Sequence, residues 1–459
     1  MSNNRAEQLA AMRKFFNSGA TLSYAFRKKQ LQILKAAILK HQDDLHHALY
    51  EDLKKSAEEC WVTETGFVIS EINAALKNLR LWMQPEKVKT NLLNFPSKSF
   101  VMKEPWGLVL IIGPWNYPLQ LLLNPLVGAI AAGNCVVLKS SEFAVAATTV
   151  MKKIIKENFS PEYILFTDGD GAKVVPALMN STRFDYIFYT GSTTVGKIIY
   201  KAAAEQLTPV TIELGGKSPA VVEADANIKI AAKRIALTKF SNAGQMCVAP
   251  DYVLVNEKVK DEFVREIKKA LVDFFDEDPL RSYNYGKIIN EKQFDRICGY
   301  LQEGKIIFGG QTDRSHLYIQ PTLMEEVSMK SKLMEDEIFG PVLPILSYQT
   351  FEQAKEIIDK NPHPLAFYVF TGSSKKEKMW LQSVQFGGGC VNNASWHLTN
   401  HHLPFGGRGN SGIGNYHGRA SFETFSHKKS IMKTPTWFDP AIKYPPFKGK
   451  LWLFKKIIK

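Results

Sequence analysis

The feature that most limits the fold of this chain is an alternation of short apolar runs with amphipathic stretches of helical length, beginning at Gly107. Short apolar runs bounded by turn residues favour strands that are buried on both faces. Strands that alternate with helices in this way imply right-handed βαβ units and a parallel sheet. The first series predicts strands at Gly107–Ile112, Cys135–Lys139, Tyr163–Thr167, Asp185–Tyr189 and Pro209–Glu213, and helices at Leu119–Ala132, Phe143–Asn158 and Thr194–Gln206.

A second αβ series follows and predicts a second sheet. It comprises strand Ala220–Glu223, helix Ile228–Phe240, strand Tyr252–Val255, helix Lys258–Asp273, strand Leu365–Thr371 and helix Lys376–Gln385. We therefore predict an α/β protein of two halves with a cleft between them. The segment before Pro85 has apolar residues at three- and four-residue intervals and is predicted to be helical. In residues 85–103, polar and apolar residues alternate near Asn91–Phe95 and Ser99–Met102, and this pattern predicts a β-hairpin arm.

Length and composition set the broad class of the protein. A chain of 459 residues is too long for one ordinary hydrophobic core, so two or three packed units are expected. A content of 45% hydrophobic and 22% charged residues is typical of a globular protein. We find no apolar run of membrane-spanning length and no secretory signal at the N-terminus, so we expect a cytoplasmic protein. Five scattered cysteines without a CxxC pair predict free thiols and no metal site.

The net charge of +13 raises the question of an anionic partner. Six lysines and no acidic residue lie between Ala441 and Lys459. Elsewhere basic and acidic residues are interspersed, so nucleic-acid binding is the weaker interpretation of the net charge. The last ten residues, Lys450–Lys459, combine four lysines with Trp452, Leu453, Phe454, Ile457 and Ile458. Such a segment suits peripheral contact with an anionic membrane surface, although packing on the protein itself or on a partner subunit is the alternative.

The turns that follow the first-series strands hold candidate ligand-binding residues, because ligands of open parallel sheets bind at the carboxyl ends of strands. Asn116 can project an amide donor into the cleft, or can simply form an Asx-turn. Lys139 and Glu142 can bind the hydroxyl groups of a ribose, or can simply belong to an ordinary helix N-terminus. The turn Thr190–Gly196 lets backbone N–H groups approach a pyrophosphate, although it is not a GxGxxG fingerprint.

Three further segments carry groups with catalytic potential. Glu213 ends an apolar strand before two glycines, where burial would raise its pKa and suit it to general-base chemistry. Cys247 lies in a loop of small residues, and Cys390 follows Gly387–Gly389, so the residues alone do not choose between these two thiols. Cys60, Cys135 and Cys298 are better explained as core thiols. An extended Glu337–Phe339 would place a carboxylate and a ring on one side.

In this order and register, the segments resemble the aldehyde dehydrogenase superfamily from the first helix to about Ser426. The resemblance is carried by PWNYP, KSSE, FYTGSTTVG, ELGGKSP, NAGQMC and EIFGPV, followed by LPFGGRGNSGIGNYHG. The short N-terminus and the ending LPFGGRGNSGIGNYHGRASFETFSH are similar to the class-three, fatty-aldehyde branch. The chain departs from that branch at Ser140, Met246 and Asn392–Ala394, where Pro, Thr and Asn-Asp-Thr are usual.

The resemblance implies a site, a fold and partners. Cys247 would be the nucleophile, Glu213 the general base and Asn116 the oxyanion donor. The implied cofactor is NAD or NADP, held by residues that match the family's cofactor ligands, namely Lys139, Glu142, Gly191, Ser192, Gly196, Glu337 and Phe339. The implied substrate is a medium- or long-chain aliphatic or an aromatic aldehyde, and the implied assembly is a homodimer.

The resemblance implies two Rossmann-like domains, an oligomerisation arm and a tail. Residues 1–84 and 104–212 would bind NAD(P), residues 213–417 would form the catalytic domain, residues 85–103 and 418–435 would form an oligomerisation arm, and residues 436–459 would form a basic tail. Glu142 should repel the 2′-phosphate of NADP but can swing aside, so the cofactor preference stays open. A CoA-acylating enzyme and a non-enzymatic binding or structural protein on the same fold are the alternative functions.

Overall fold

The computed structural model describes residues 2–458, and helices come first along the chain. Helices α2 and α5 pack on α6, which is buried along its whole length. The helices are α1 (Ser2–Asn17), α2 (Tyr24–Lys40), α3 (Gln42–Leu53), α4 (Ala57–Cys60), α5 (Gly66–Trp82), α6 (Gln120–Ala132), α7 (Val145–Asn158), α8 (Gly171–Ser181), α9 (Thr193–Glu205), α10 (Ile228–Phe240), α11 (Lys260–Phe275), α12 (Glu291–Tyr300), α13 (Lys332–Glu335), α14 (Phe351–Asp359), α15 (Ser374–Ser383), α16 (Arg419–Thr424) and α17 (Leu451–Ile457).

The strands form two large sheets, one three-stranded sheet and one two-stranded ribbon. They are β1 (Glu86–Val88), β2 (Lys98–Pro105), β3 (Leu108–Ile112), β4 (Cys135–Lys139), β5 (Ile164–Thr167), β6 (Tyr186–Thr190), β7 (Val210–Glu213), β8 (Pro219–Val222), β9 (Tyr252–Asn256), β10 (Lys305–Phe308), β11 (Thr312–Asp313), β12 (Tyr318–Ile319), β13 (Thr322–Glu325), β14 (Val342–Tyr348), β15 (Ala366–Phe370), β16 (Gly388–Val391), β17 (Gly412–Ile413) and β18 (Ser426–Lys433).

The first large sheet has the order β17-β7-β6-β3-β4-β5, and every pairing except β17 with β7 is parallel. The chain runs outward from β3 through β4 to β5 and then returns to β6 on the other side of β3. The strand order therefore reverses between β3 and β6, which opens a crevice at their carboxyl ends. The turns that begin at Gly113 and at Gly191 border this crevice.

The second large sheet has the order β10-β13-β14-β9-β8-β15-β16, and only the β10–β13 pairing is antiparallel. The predicted α/β architecture with two mostly parallel sheets is therefore confirmed. A short linker, residues 214–218, leads from the carboxyl end of β7 to the amino end of β8. The carboxyl edge of the first sheet and the amino edge of the second sheet therefore meet at this linker.

The predicted hairpin forms, but its first strand is not where the alternation suggested. Strand β1 pairs antiparallel with β2, whereas Leu92–Asn94 in the alternating segment is a single 3-10 turn. Strand β18 adds to the other side of β2 over its full length. Towards the end of the chain, Trp437, Leu451 and Trp452 are exposed, and α17 carries Lys455 and Lys456. Within residues 2–458 no helix is both long and apolar enough to cross a membrane.

Candidate active site

Glu213 lies at the carboxyl end of β7 and is 1% exposed. Its Oε2 accepts hydrogen bonds from the Tyr416 hydroxyl at 2.8 Å and from Thr190 Oγ1 at 3.3 Å. Its Oε1 lies 3.4 Å from the Cys247 Sγ, which donates to it. Burial raises the pKa of Glu213 to about 7, because these three hydrogen bonds only partly offset the cost of desolvating the charge. A carboxyl group with this pKa can both accept and release a proton near neutral pH.

Cys247 follows a loop whose backbone takes an uncommon conformation. Asn242, Ala243 and Gly244 are all left-handed, with φ values of 50°, 50° and 74°. Such a run is costly for residues with a Cβ and persists only where surrounding contacts hold it. The amide of Gln245 supplies such contacts, because Nε2 donates to the carbonyls of Asn242 and Lys287 and Oε1 accepts from the Ile289 N–H.

The Cys247 thiol is half-buried, and burial raises its pKa well above the ordinary value. The carboxylates of Glu213 and Glu337 raise it further, since both disfavour a thiolate beside them. The sulfur is therefore protonated at rest. Glu213, at 3.4 Å, is the proton acceptor within its reach.

Asn116 lies in the turn after β3 and is tied to the cysteine loop. Its Nδ2 donates to the Gln245 carbonyl at 3.1 Å, and an amide nitrogen has a second N–H for another acceptor. Its own carbonyl accepts from Asn242 Nδ2 and from Lys55 Nζ, both at 2.9 Å. Lys55 is fully buried and also pairs with Glu64 at 2.8 Å. This network fixes the Asn116 backbone against the loop that carries Cys247.

Two cavities meet at Cys247. One of about 520 Å³ is lined by Cys247 and Glu213 and has walls that are mostly apolar and aromatic, including Phe274, Trp396 and Phe405. The other, of about 270 Å³, lies in the crevice of the first sheet. Its lining brings together Trp115, Asn116, Gly191, Ser192, Gly215, Cys247, Arg296, Glu337 and Phe339. The thiol can therefore be approached from two sides by two different molecules.

The prediction that Glu337–Phe339 is extended was wrong. The segment is a loop, and Phe339 is left-handed with φ 47°. The loop is held by contacts distant in sequence: the Ile338 N–H donates to Asp251 at 3.0 Å, and Arg296 Nη2 donates to the Ile338 carbonyl at 2.8 Å. Glu337 and Phe339 nevertheless both line the smaller cavity. Burial raises the pKa of Glu337 to about 8.

The smaller cavity and its surroundings offer features that fit a dinucleotide. A Cβ at Gly215 would collide with the carboxyl group of Glu337, so glycine at this position lets Glu337 lie against the linker in the cavity wall. Ser192 caps α9, and Gly191 precedes it at the helix N-terminus, where free N–H groups favour a phosphate. Gly196 does not line the cavity; a Cβ there would meet Leu214 at 2.7 Å, so this glycine lets α9 pack on the sheet.

Lys139 and Glu142 lie beside this cavity at the end of β4 rather than in its wall. The buried Lys139 ammonium donates to the Ser140 carbonyl and to Glu142 Oε2, the latter at 3.4 Å. Glu142 Oε1 accepts from the Gly171 N–H, the first residue of α8, at 3.0 Å. Within the described chain the buried Ser140 hydroxyl has no hydrogen-bond partner. A lysine, a carboxylate and a free hydroxyl at one strand end suit the hydroxyl groups of a ribose.

The rival thiol, Cys390, lies elsewhere. It is on β16, with Sγ 3.5 Å from His397 Nδ1, and it lines neither cavity. Cys60 and Cys135 are buried, and burial raises the pKa of each thiol to about 12. Cys298 lies on α12 and is half-buried. The arrangement brings Cys247 alone among the five thiols to the junction with Glu213 and Asn116.

Several residues of the site were not identified from the sequence. Tyr416 is 203 residues from the Glu213 that it contacts, and no local pattern signals such a pair. Lys217 forms a buried salt bridge with Asp251, which in turn holds the Glu337 loop. Asn242 and Gln245 belong to a segment that the sequence singled out, but their role in holding a left-handed loop depends on distant carbonyl groups.

Comparison with known proteins shows which family the chain resembles. The model of the aldehyde dehydrogenase family matches residues 3–431. The 4,4'-diaponeurosporen-aldehyde dehydrogenase of Staphylococcus aureus is 44% identical over 97% of this chain and 97% of its own. The dimeric, NADP-preferring aldehyde dehydrogenase of Canis lupus familiaris is 41% identical over 97% of this chain and 98% of its own. The solved substrate-bound state of Staphylococcus aureus AldH aligns with a TM-score of 0.96 and 43% identity, covering 99% of both chains.

Proposed function

We propose, from the premise that the chain belongs to the aldehyde dehydrogenase family, that Cys247 is the nucleophile of the reaction, Glu213 its general base and Asn116 its oxyanion donor. The family makes the protein an oxidoreductase that converts aldehydes to carboxylic acids with NAD or NADP. The observation that carries the assignment is the 3.4 Å contact between Cys247 Sγ and Glu213 Oε1 at the junction of the two cavities.

The first step that we assign to the chain is addition of Cys247 to the aldehyde. Glu213 takes the thiol proton, because a thiolate is the competent nucleophile and the sulfur is protonated at rest. The charge that develops on the aldehyde oxygen is stabilised by the Asn116 amide and the Cys247 backbone N–H. One donor of this kind is worth roughly a hundred- to a thousandfold in rate.

NAD or NADP, when bound, supplies the acceptor for the hydride that leaves the tetrahedral carbon. Gly191 and Ser192 would hold its pyrophosphate, Glu337 and Phe339 its nicotinamide ribose and ring, and Lys139 and Glu142 its adenosine ribose. Gly196 would act indirectly, by keeping α9 close to the sheet. Loss of hydride converts the Cys247 adduct into a thioester. Glu213, once it has passed the thiol proton to solvent through the cavity that it lines, removes a proton from the water that attacks the thioester. The carboxylic acid then leaves, and the proton held by Glu213 returns to the released Cys247 sulfur.

This assignment is tested by cofactor reduction with a series of aliphatic and aromatic aldehydes, without added CoA. The wild type should form NADH or NADPH, and Cys247→Ala should not, whereas the matched variant Cys390→Ala should retain activity. Activity that survives Cys247→Ala would move the nucleophile elsewhere. Activity that requires CoA would replace hydrolysis by acyl transfer to a thiol.

The same proposal includes the division of the chain. Residues 1–84 and 104–212 would bind the cofactor, and residues 213–417 would carry the catalytic cysteine. The arm, residues 85–103 and 418–435, would join two subunits, because β18 leaves one edge of its sheet open over eight residues. Analytical ultracentrifugation should then give twice the 51.7 kDa mass of the chain, and a single chain mass would refute the dimer.

We further propose peripheral membrane contact through residues 436–459. Trp437 and Trp452 are exposed by 78% and 66%, close to several lysines, which suits an anionic lipid surface. Co-sedimentation with vesicles that contain phosphatidylglycerol should be lost on deletion of residues 450–459 and weakened by salt. Binding that persists after the deletion would contradict the role of the tail.

A further inference from the structure

The larger cavity at Cys247 has an unusual distribution of charge. Its charged lining residues are Glu58, Glu59, Glu213 and Asp273, and within the described part of the chain no lysine or arginine lines it. The one histidine in its wall is His417, whose pKa is lowered to about 3 by burial, so this ring is neutral. This is unexpected in a chain with 58 basic and 45 acidic residues.

The four carboxyl groups differ in exposure, and we call the exposed pair, Glu58 and Asp273, the mouth of the cavity. Glu58 and Asp273 are exposed, Glu59 is half-buried, and Glu213 is buried beside Cys247. Glu58 Oε2 accepts a hydrogen bond from the Tyr283 hydroxyl at 2.8 Å, which holds the pKa of Glu58 below its ordinary value. Glu59 Oε1 accepts from the Asn242 N–H at 3.0 Å, in the loop that leads to Cys247.

A buried lysine behind the cavity wall does not offset this negative field. Lys55 lies behind the wall, with its ammonium 3.7 Å from the centroid of the Tyr117 ring. It is already paired with Glu64 at 2.8 Å, and both side chains are fully buried. The Lys55–Glu64 pair therefore adds no net charge to the cavity.

Aromatic rings lie among the acids. Phe274, which is next to Asp273 in the chain, and Trp396, which is 49% exposed, both line the cavity. Ring faces attract cations, and most strongly a tetraalkylammonium group that is easily desolvated. Carboxylates and ring faces together favour a cation and repel an anion.

We infer that this cavity selects aldehydes by the charge at their far end, so that it admits uncharged and cationic aldehydes and rejects those that carry a carboxylate or phosphate. This inference rests on the proposed function, since it assumes that the aldehyde reaches Cys247 through the larger cavity. The residues that set the selection are Glu58 and Asp273 at the mouth. Glu59 contributes less, because burial raises its pKa and disfavours its charged form. The same field repels the carboxylate product and thereby favours its release.

The test compares three aldehydes of equal chain length: hexanal, its ω-carboxylate analogue 6-oxohexanoate, and its ω-trimethylammonium analogue. The quantity measured is kcat/KM for each, at low and high salt, by cofactor reduction. Each mouth carboxylate contributes a Coulomb interaction of opposite sign to the two charged analogues. We expect the cationic analogue to exceed the anionic one by roughly a hundredfold at low salt, and by less at high salt.

Variants then connect the selection to the named carboxylates. The double variant Glu58→Gln/Asp273→Asn should reduce the cation-to-anion ratio to within about tenfold, and Asp273→Lys should reduce it as well. The matched control Glu162→Gln/Glu205→Gln removes two exposed carboxylates that do not line the cavity and should leave the ratio unchanged. Because each ratio is taken within one variant, a general loss of activity cancels.

The outcomes separate the inference from the proposed function. Equal kcat/KM for the two charged analogues, or a ratio that the mouth variants do not change, overturns the inference while leaving the function in place. If the protein oxidises none of the three aldehydes, the proposed function is overturned and the inference with it. A ratio that falls equally in the control variant would assign the selection to net charge and overturn the role of the cavity.

Discussion

Replacing Glu213 by Gln should remove the general base while preserving the shape of the site. In the proposed mechanism the wild-type reaction needs ionised Glu213, whose pKa is raised to about 7 by burial. Because the base form exists above this pKa, kcat/KM should fall about tenfold per pH unit below pH 7. The Gln variant should lose this acid limb, and its kcat at pH 7 should fall by roughly a hundred- to ten-thousandfold.

The same substitution has an opposite effect on the thiol. The Glu213 carboxylate is one of the causes that raise the pKa of Cys247, so its neutralisation lowers the pKa of that thiol. At alkaline pH the variant should therefore still add Cys247 to the aldehyde and form a thioester, but it should not hydrolyse the thioester. Stopped-flow absorbance should then show a burst of about one NADH per site, followed by almost no turnover.

The matched control for this experiment is Glu71→Gln. Burial raises the pKa of Glu71 to about 7 as well, but this carboxyl group contacts Gly418 and Ser421 and does not contact Cys247. The control should keep the acid limb of the wild type. A Glu213→Gln enzyme with kcat within about tenfold of the wild type and an unchanged acid limb would refute the assignment of the base.

Three further measurements test a buried salt bridge, the ionisation of Glu71 and the cofactor preference. Lys55→Met should destabilise the fold by about 3–5 kcal/mol in chemical denaturation, because it leaves the Glu64 carboxylate buried without its cation. Adding Glu64→Gln should recover part of this loss. An unchanged free energy of unfolding in Lys55→Met would contradict a stabilising buried pair. Glu71 has a raised pKa, so the stability linked to its proton is full below about pH 4.5 and is lost as the pH rises through about 7. The Tm of Glu71→Gln should therefore rise relative to wild type between pH 5 and pH 8, by the equivalent of about 2–3 kcal/mol, and a constant difference would refute this. Glu142→Gln should increase kcat/KM with NADP relative to NAD, because it removes a negative charge that repels the 2′-phosphate, and an unchanged ratio would place cofactor selection elsewhere.

The sequence predicted the five parallel strands of the first sheet with small errors because these strands are mostly buried on both faces. Cys135–Lys139 was predicted with its observed limits, and the other strands of that series differ by about one residue. Several elements were missed, most of them in the second half of the chain, and two of those missed have weak local patterns. Strand β16 begins with two glycines and lies at a sheet edge, and helix α8 contains Pro176, so neither has the composition of its class.

For the site, the sequence identified the residue types but not how they meet. The rule that ligands bind at the carboxyl ends of strands leads to Asn116, Glu142 and Glu213, which all follow or end strands of the first sheet. Cys247 lies in a loop before β9, at the amino edge of the second sheet, where this rule makes no prediction. From the residues alone Cys390 remained its equal, and the choice came from the resemblance to a family.

The contact between Glu213 and Cys247 depends on how the two sheets are joined. Glu213 ends β7, and only the linker 214–218 separates it from β8 in the second sheet. Lys217 in this linker forms a buried salt bridge with Asp251, which lies four positions after Cys247 and also accepts the Ile338 N–H at 3.0 Å. A single carboxylate thus connects the linker, the cysteine loop and the Glu337 loop. Since all three segments contribute to the site, a change at Asp251 should disturb Cys247, Glu213 and Glu337 together, although Asp251 itself lines neither cavity.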